Sequence, residues 1–164
     1  MNTAATPHEI DQRIKDTMTI AIGSDHGGFE LKEIIIEHLK KSGYDTKDFG
    51  VYSTCSADYP DEAVPVCEAV LAGEADLGIL ICGTGIGISI SANKIRGIRC
   101  ALCGDVFSAK MARLHNNAQV LALGGRVVGP GHALEIVDAF LGTPFSGEER
   151  HARRVDKIMN LENR

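Results

Sequence analysis

The stretch LGILICGTGIGISISANK, residues 77–94, decides the fold. Its first part, LGILIC, contains no charged or hydroxyl side chain, and such a run predicts a β-strand over 77–82 that is covered on both faces. The glycines of GTGIG at 83–87 predict a tight turn, and a helix is expected near 86–95. A buried strand that leads through glycines directly into a helix is typical of an α/β fold.

The same alternation of strand and helix continues on both sides of this stretch. Gly43 stands where the first helix is expected to end, and the tail at 146–164 predicts a further polar helix. We therefore predict a Rossmann-like three-layer α/β/α domain with a five-stranded parallel sheet. The expected strands are 19–25, 45–49, 77–82, 98–104 and 120–125, and the expected helices are 29–43, 60–74, 86–95, 105–115 and 131–142.

Residues 1–18 have a different pattern. TPHE at 6–9 has the form of a capping box with proline at the first helical position, and apolar residues recur every four positions up to Met18. A short appended helix with no assigned role is the prediction. The chain is thus divided into an N-terminal extension, 1–18, and a single domain, 19–164.

Composition and charge exclude several classes of protein. The 164 residues are 44% hydrophobic and 24% charged, which is typical of one globular domain. A net charge of −5 gives no basic surface for nucleic acid or anionic lipid, and no apolar run approaches the roughly 20 residues that cross a membrane. Five cysteines, an odd number, without a secretory signal favour reduced thiols and a cytoplasmic location.

The glycine loop at 83–87 is the first candidate for function. Ligands bind at the carboxyl ends of the strands in such folds, and glycines let several amides converge at a helix N-terminus, so the loop is expected to bind an anion. A tight turn within a packed core is an equal alternative. A dinucleotide site is a weaker one, because the spacing is G-x-G-x-G, although Asp105 stands where a ribose-binding acid would lie. The Gly-Lys-Ser/Thr of a P-loop is absent.

Cys82, directly before the glycines, adds chemistry to this loop. A thiol pKa near 8.5 falls against amides and a helix N-terminus, and a group that titrates near 7 is an efficient general base. Cysteine as base and amides as oxyanion hole would remove a proton next to a carbonyl and hold the enediolate, with the Thr84 hydroxyl near the same oxygens. The alternative is that Cys82 is a small buried apolar residue.

Six segments carry a resemblance to a known family. The chain resembles the type B ribose-5-phosphate isomerases, a family that also includes allose-6-phosphate and galactose-6-phosphate isomerases, over residues 19–160. The resemblance implies interconversion of ribose 5-phosphate and ribulose 5-phosphate, in the non-oxidative pentose phosphate pathway, without metal or organic cofactor. The segments are GSDHGGFELK (23–32), ADYPD (57–61), ICGTGIGISISANK (81–94), GIR (97–99), ARLHNNAQVLALGGRVVG (112–129) and RHARRV (150–155).

The resemblance also implies roles for individual residues. Cys82 is the base, the loop amides and Thr84 stabilise the enediolate, and His115 assists opening of the furanose ring. In the branch of the family that lacks this cysteine, a carboxylate after the third glycine is the base, and here that position is Ile88. The implied substrate-binding residues are Asp25, His26, Tyr59, Gly83, Gly85, Ile86, Gly87, Asn116, Arg126, Arg150 and Arg154.

The position of His115 predicts the oligomeric state. His115 precedes the fifth strand, whereas Cys82 and Asp25 end parallel strands, and a six-residue strand is about 20 Å long. We predict that His115 and Asn116 reach across the interface of a homodimer, and a tetramer that contains this interface stays open as an alternative. The alternative is that His115 only caps a helix C-terminus.

Arg150 and Arg154 are four residues apart, so on a helix they share one face that suits a phosphate. A solvated basic patch is the alternative.

Cys100 and Cys103 are expected to pack on opposite faces of a strand rather than to bind zinc. Two functional alternatives stay open: an isomerase of a six-carbon sugar phosphate such as allose 6-phosphate, and a nucleotide-binding module with no chemistry.

Overall fold

The computed structural model describes residues 17–164, so the helix predicted within the N-terminal extension lies outside the described residues. The described chain alternates strands and helices in the predicted order. Its strands are β1 (Thr19–Ser24), β2 (Asp45–Asp48), β3 (Leu77–Cys82), β4 (Cys100–Leu102) and β5 (Val120–Gly124).

Helices follow each strand, and a sixth helix occupies the tail. No helix among residues 17–164 is long and apolar enough to cross a membrane. The helices are α1 (Phe29–Lys41), α2 (Tyr59–Leu71), α3 (Ile86–Ala92), α4 (Val106–Asn116), α5 (Pro130–Leu141) and α6 (Glu149–Met159), with a 3₁₀ turn at Asn160–Asn163.

The five strands form one parallel sheet in the order β2-β1-β3-β5-β4. The strand β3 is central, and Ile81 pairs with Ser24 on one side while Cys82 pairs with Gly124 on the other. The carboxyl ends of β1, β3 and β5 therefore meet at one edge of the sheet, which is where ligands bind in open α/β folds.

Two apolar clusters lie on opposite faces of the sheet. Ile79 and Ile81 pack with residues of α1, α4 and α5, whereas Leu80 and Cys82 pack with residues of α2 and α3. Because successive side chains of a strand point to opposite faces, LGILIC has to be apolar throughout to contribute to both clusters. The predicted three-layer fold is confirmed.

The edge strand β4 is shorter than the predicted 98–104. Ile98 donates its amide to the carbonyl of Ile95 at 3.1 Å, which keeps these residues in a turn. Asn93 then makes hydrogen bonds of 2.9 Å to both the amide and the carbonyl of Cys100, on the side of β4 away from β5. Cys100 and Cys103 pack against opposite clusters, as expected from their spacing.

Candidate active site

The glycine loop joins β3 to α3 through a left-handed residue. Gly85 has φ of +76°, and a Cβ there would lie 2.5 Å from Leu102 Cδ1 and 2.8 Å from the carbonyl carbon of Leu123. Both the conformation and the space require glycine. The loop is therefore held against β4 and β5.

Cys82 lies at the base of this loop and is 3% exposed. The amide of Gly85 donates to Cys82 Sγ at 3.1 Å, which fixes the sulfur beside the first turn of α3. The amide of Ile86 donates to Thr84 Oγ1 at 3.3 Å. Gly87 is the second residue of α3, so its amide has no acceptor within the helix and is available to a ligand.

The loops after β1, β3 and β5 contact one another through their backbones. A Cβ on Gly27 would lie 3.0 Å from the amide nitrogen of Gly83, and one on Gly125 would lie 2.7 Å from the carbonyl oxygen of Gly27. Glycines at these positions thus allow three chain segments to meet at one point. The joining N–H to carbonyl bonds run from Asp25 to Ile81 at 3.1 Å, from Gly125 to Cys82 at 2.8 Å and from Arg126 to Gly83 at 3.0 Å.

Asp25 and His26 occupy the turn between β1 and α1. Asp25 is 5% exposed, and its Oδ1 accepts the amides of Gly27 at 2.8 Å and Gly28 at 3.1 Å, which leaves Oδ2 for a ligand. His26 Nδ1 accepts the amide of Ala57 at 3.2 Å. Because Nδ1 is an acceptor, the ring hydrogen is on Nε2, which becomes a donor for a ligand.

These groups line a cavity of about 630 Å³. The volume is in the range of sites that hold small molecules. Tyr59, 40% exposed, forms part of the wall, and a Cβ on Gly87 would lie 2.6 Å from its ring. The lining residues are Asp25, His26, Ser56, Ala57, Asp58, Tyr59, Cys82, Gly83, Thr84, Ile86, Gly87, Ile90 and Arg126.

Five of the predicted site residues do not line this cavity: Gly85, whose amide donates to Cys82 Sγ, and four residues elsewhere in the fold. His115 is in the last turn of α4, where its ring stacks on that of His151 with a centroid distance of 4.3 Å. Asn116 lines a second cavity of about 500 Å³ near the C-terminal residues. Arg150 and Arg154 are exposed on α6, and Arg150 Nε donates to Glu148 Oε2 at 2.8 Å. We call His115, Asn116, Arg150 and Arg154 the basic cluster.

The basic cluster and Cys82 lie at opposite edges of the sheet. The helix α4 carries His115 and leads into Val120, the first residue of β5, whereas Cys82 pairs with Gly124, the last. Four steps along a strand span about 13 Å. Within one chain, His115 and Cys82 therefore lie near opposite ends of β5, and the site shared between subunits stays a prediction.

Two arginines without an expected role hold the corner that follows His115. Arg99 Nη2 donates to the carbonyl of Asn117 at 2.9 Å, and Arg113 Nη1 donates to that of Ala118 at 2.6 Å. Asn117 ends α4 with φ of +45°. These charged donors satisfy carbonyls that a helix end leaves free, so the corner is rigid.

A buried lysine supports the other side of the cavity. Lys32 is fully buried, and its Nζ donates to Asp48 Oδ1 at 2.7 Å and to the carbonyl of Val51 at 2.8 Å. This charge is paired and hydrogen-bonded, as buried charges must be. Lys32 thereby anchors the segment between β2 and α2, which supplies Ala57 and Asp58 to the cavity wall. The GFELK motif contains this lysine, but its burial is not evident from the sequence.

The geometry gives less support to a dinucleotide or a metal ion as the ligand of this region. Asp105, the residue considered for ribose binding, caps α4: its Oδ1 accepts the amide of Ser108 at 2.7 Å and its Oδ2 accepts the Ser108 hydroxyl at 2.6 Å. Both carboxylate oxygens are thus engaged locally. Within residues 17–164, no three His, Cys, Asp or Glu side chains are grouped so that they could hold a metal ion.

A buried cysteine beside a glycine turn, at the carboxyl edge of a parallel sheet, is an arrangement that suits a sugar-phosphate isomerase of the α/β class. Comparison with known proteins agrees: the ribose/galactose isomerase family model matches residues 20–158, and the chain belongs to this family.

Similar proteins include ribose-5-phosphate isomerase B of Escherichia coli, 50% identical over 145 residues, which are 88% of this chain and 97% of that protein. The structure of ribose-5-phosphate isomerase B of Clostridium thermocellum superimposes with a TM-score of 0.87 at 55% identity, covering 89% of this chain and 98% of that one. The Mycoplasma genitalium enzyme, with bound ribulose-5-phosphate, gives a TM-score of 0.84 at 45% identity, covering 90% and 97%.

Proposed function

We propose that the chain is an aldose-ketose isomerase that interconverts ribose 5-phosphate and ribulose 5-phosphate through a cis-enediolate. The observation that carries the proposal is the contact between Cys82 Sγ and the Gly85 amide at the base of the cavity. It joins a proton acceptor to a loop of amides that can hold negative charge. The activity named for relatives at 44 to 55% identity supports the same reaction.

The proton moves between adjacent carbons of the open-chain sugar. The Cys82 thiolate takes the proton from C2 of the aldose, and the electrons of that bond form the C1–C2 double bond while the carbonyl electrons move to O1. The amides of Gly83 and Gly87 and the Thr84 hydroxyl are suited to donate to the enediolate oxygens. Transfer of the O2 proton to O1, directly or through solvent, and return of the proton from Cys82 to C1 complete the ketose.

Ring opening and phosphate binding are assigned to the basic cluster of a second copy. His115 donates a proton to the ring oxygen as the bond from C1 to that oxygen breaks, and the C1 hydroxyl loses its proton to solvent. Asn116 lies beside His115, and Arg150 and Arg154 pair with the phosphate dianion. A two-fold axis repeats each contact, so a homodimer contains two such sites.

Exposed apolar side chains near the cavity support this dimer. Ile86 is 52% exposed and Ile90 56% exposed, and both line the cavity. Apolar groups of this size gathered around a functional cavity are typical of a surface that a partner covers.

We assign the enzyme to the cytoplasm, since all five cysteines are free, as in reducing compartments.

The size of the sugar is a separate part of the proposal. In a dimer, the distance between Cys82 and the arginines of the second copy sets the length of substrate that fits. A six-carbon phosphate such as allose 6-phosphate therefore competes as a substrate within the same mechanism. Direct comparison of the two sugars decides which is preferred.

The test is the rate of ribulose 5-phosphate formation from ribose 5-phosphate in EDTA, with allose 6-phosphate as the second substrate. Cys82→Ala is expected to lower the rate by about 10² or more, the scale of a lost general base. Cys55→Ala is the matched control, because Cys55 is exposed and outside the cavity. A folded parent that is inactive on both sugars would contradict the proposal.

Exchange of the C1 proton of ribulose 5-phosphate with solvent distinguishes the enolisation step from the ring-opening step. Ribulose 5-phosphate cannot close a furanose ring because its O5 carries the phosphate, so uptake of solvent deuterium at C1 needs enolisation but no ring opening. Cys82→Ala is expected to lose both isomerisation and exchange, and His115→Ala to lose isomerisation of ribose 5-phosphate while it keeps exchange. Equal loss of both activities in His115→Ala would refute the assigned role.

A further inference from the structure

His151 is a buried histidine for which the proposed mechanism has no use. Its side chain lies on α6 and is 5% exposed. The ring stacks on His115 at a centroid distance of 4.3 Å with 35° between the ring planes. Among residues 17–164, the His115 ring makes no side-chain hydrogen bond, and its ring stack is with His151.

A serine fixes His151 in turn. Ser146 Oγ lies 2.7 Å from His151 Nδ1 and accepts the amide of Glu148 at 3.3 Å, which leaves the hydroxyl hydrogen to donate to Nδ1. The amide of Ser146 donates to the carbonyl of Leu114 at 3.1 Å. The segment before α6 is therefore bonded to the last turn of α4, directly beside His115.

The surroundings of His151 disfavour its charged form. Desolvation lowers the pKa of His151 from its ordinary value near 6.5, and the neighbouring His115 lowers it further. Arg150 and Arg154 act in the same direction, and Glu148 opposes them. A neutral ring does not repel a protonated His115, as a second cation at this distance would.

We propose that His151 is a positioning residue: stacked on His115 and held by Ser146, it orients the His115 ring for proton donation in the site of a second copy. This inference rests on the proposed function, in which His115 acts on the furanose ring. His151 itself does not touch the sugar in this arrangement. Its effect should therefore depend on the presence of His115.

A double-mutant cycle tests this dependence. His151→Ala is expected to lower kcat for ribose 5-phosphate by about tenfold, the scale of a misoriented catalytic group, with little change in KM. In the His115→Ala background the same change should cost nothing further. Deuterium exchange into ribulose 5-phosphate should be unchanged, and His151→Phe, which keeps a flat ring against His115, should recover most of kcat. His132→Ala, a half-exposed histidine on α5, is the control.

Other outcomes overturn the inference. Losses that add in the double variant, or a fall in exchange equal to the fall in isomerisation, would show that His151 does not act through His115. An inactive parent would overturn the proposed function itself, and full activity of His115→Ala would overturn the role of His115. If His151→Ala does not fold, Ser146→Ala must show the same pattern with a smaller loss, and parental kinetics in that variant would refute the proposal.

Discussion

The cavity around Cys82 and the basic cluster differ in how the chain builds them. The cavity joins three loops through backbone hydrogen bonds and glycine contacts, and its cysteine is buried. The basic cluster lies at the other edge of the sheet, on helix ends, with Arg150 and Arg154 exposed. In the proposed mechanism, the first region supplies a base and anion-binding amides, and the second supplies an acid and cations for phosphate. On that proposal, a single chain carries two unlike halves of a site.

The largest expected effect is on the cavity around Cys82. Gly85→Ala places a Cβ on a residue with φ of +76° and against the backbone of Leu123. Loss of the loop geometry should lower turnover on the order of 10² to 10³, as removal of oxyanion donors does. The free energy of unfolding should fall by about 3 kcal/mol.

Gly104→Ala is the matched control, because a Cβ there meets nothing within 4 Å. Steady-state kinetics and urea unfolding of both variants check the expectation. If Gly85→Ala kept the activity of the parent, the geometry of the glycine loop would not be needed for catalysis, and the proposed role of its amides would be wrong.

An intermediate effect is expected for changes in the basic cluster. Arg150→Ala and Arg154→Ala should each raise KM for ribose 5-phosphate about tenfold, or about 1.4 kcal/mol, the scale of one charge-assisted contact. Arg153→Ala, an exposed arginine on the same helix, should leave KM unchanged. The comparison of KM among the three variants distinguishes a phosphate site from a general basic patch, for which all three changes would have equal effects.

The smallest effect concerns thiol reactivity and pH. Burial raises the pKa of Cys67 to about 12 and of Cys103 to about 11, and it raises the pKa of Cys100 as well. Iodoacetamide at pH 8 should therefore leave these three unlabelled, whereas Cys55 is exposed and Cys82 lines the cavity, so the reagent can reach both. Ribose 5-phosphate should protect Cys82 alone, as mass spectrometry of the labelled peptides would show.

The same shifts set the sign of the alkaline pH dependence. Thiols in the unfolded chain ionise near pH 8.5, whereas Cys67 and Cys103 stay protonated when folded, so the folded state binds more protons above that pH. The free energy of unfolding should decline as the pH rises from about 8.5 towards 11 and 12. Urea midpoints at pH 8 and pH 10 measure this, and equal midpoints would contradict the burial of these thiols.

Most of the fold could be predicted from the sequence because local patterns carry it. LGILIC is apolar on both faces, and glycines mark the turns, so strands and helices were expected where they occur. The exception is β4, which is shorter than predicted because the hydrogen bond from the Ile98 amide to the Ile95 carbonyl keeps its first predicted residues in a turn. That contact joins residues whose pattern gives no signal for it.

The position of the cavity can also be predicted from the sequence, since parallel strands bring Asp25 and Cys82 to one edge of the sheet. The residues that support the cavity and the basic cluster cannot. Lys32, Arg99 and His151 owe their roles to partners distant in sequence, and neither burial nor stacking is encoded in a short motif. A lysine in the middle of an amphipathic helix looks like a surface residue until its carboxylate partner on β2 is located.

The most direct measurement of the central claim is complementation between two inactive chains. Cys82→Ala and His115→Ala chains with different tags are produced together, and the mixed dimer is purified through both tags. One of its two sites would then combine an intact Cys82 with an intact His115, and the account predicts about half of the parental activity on ribose 5-phosphate. A mixed dimer no more active than the average of the two single variants would contradict a site shared between subunits.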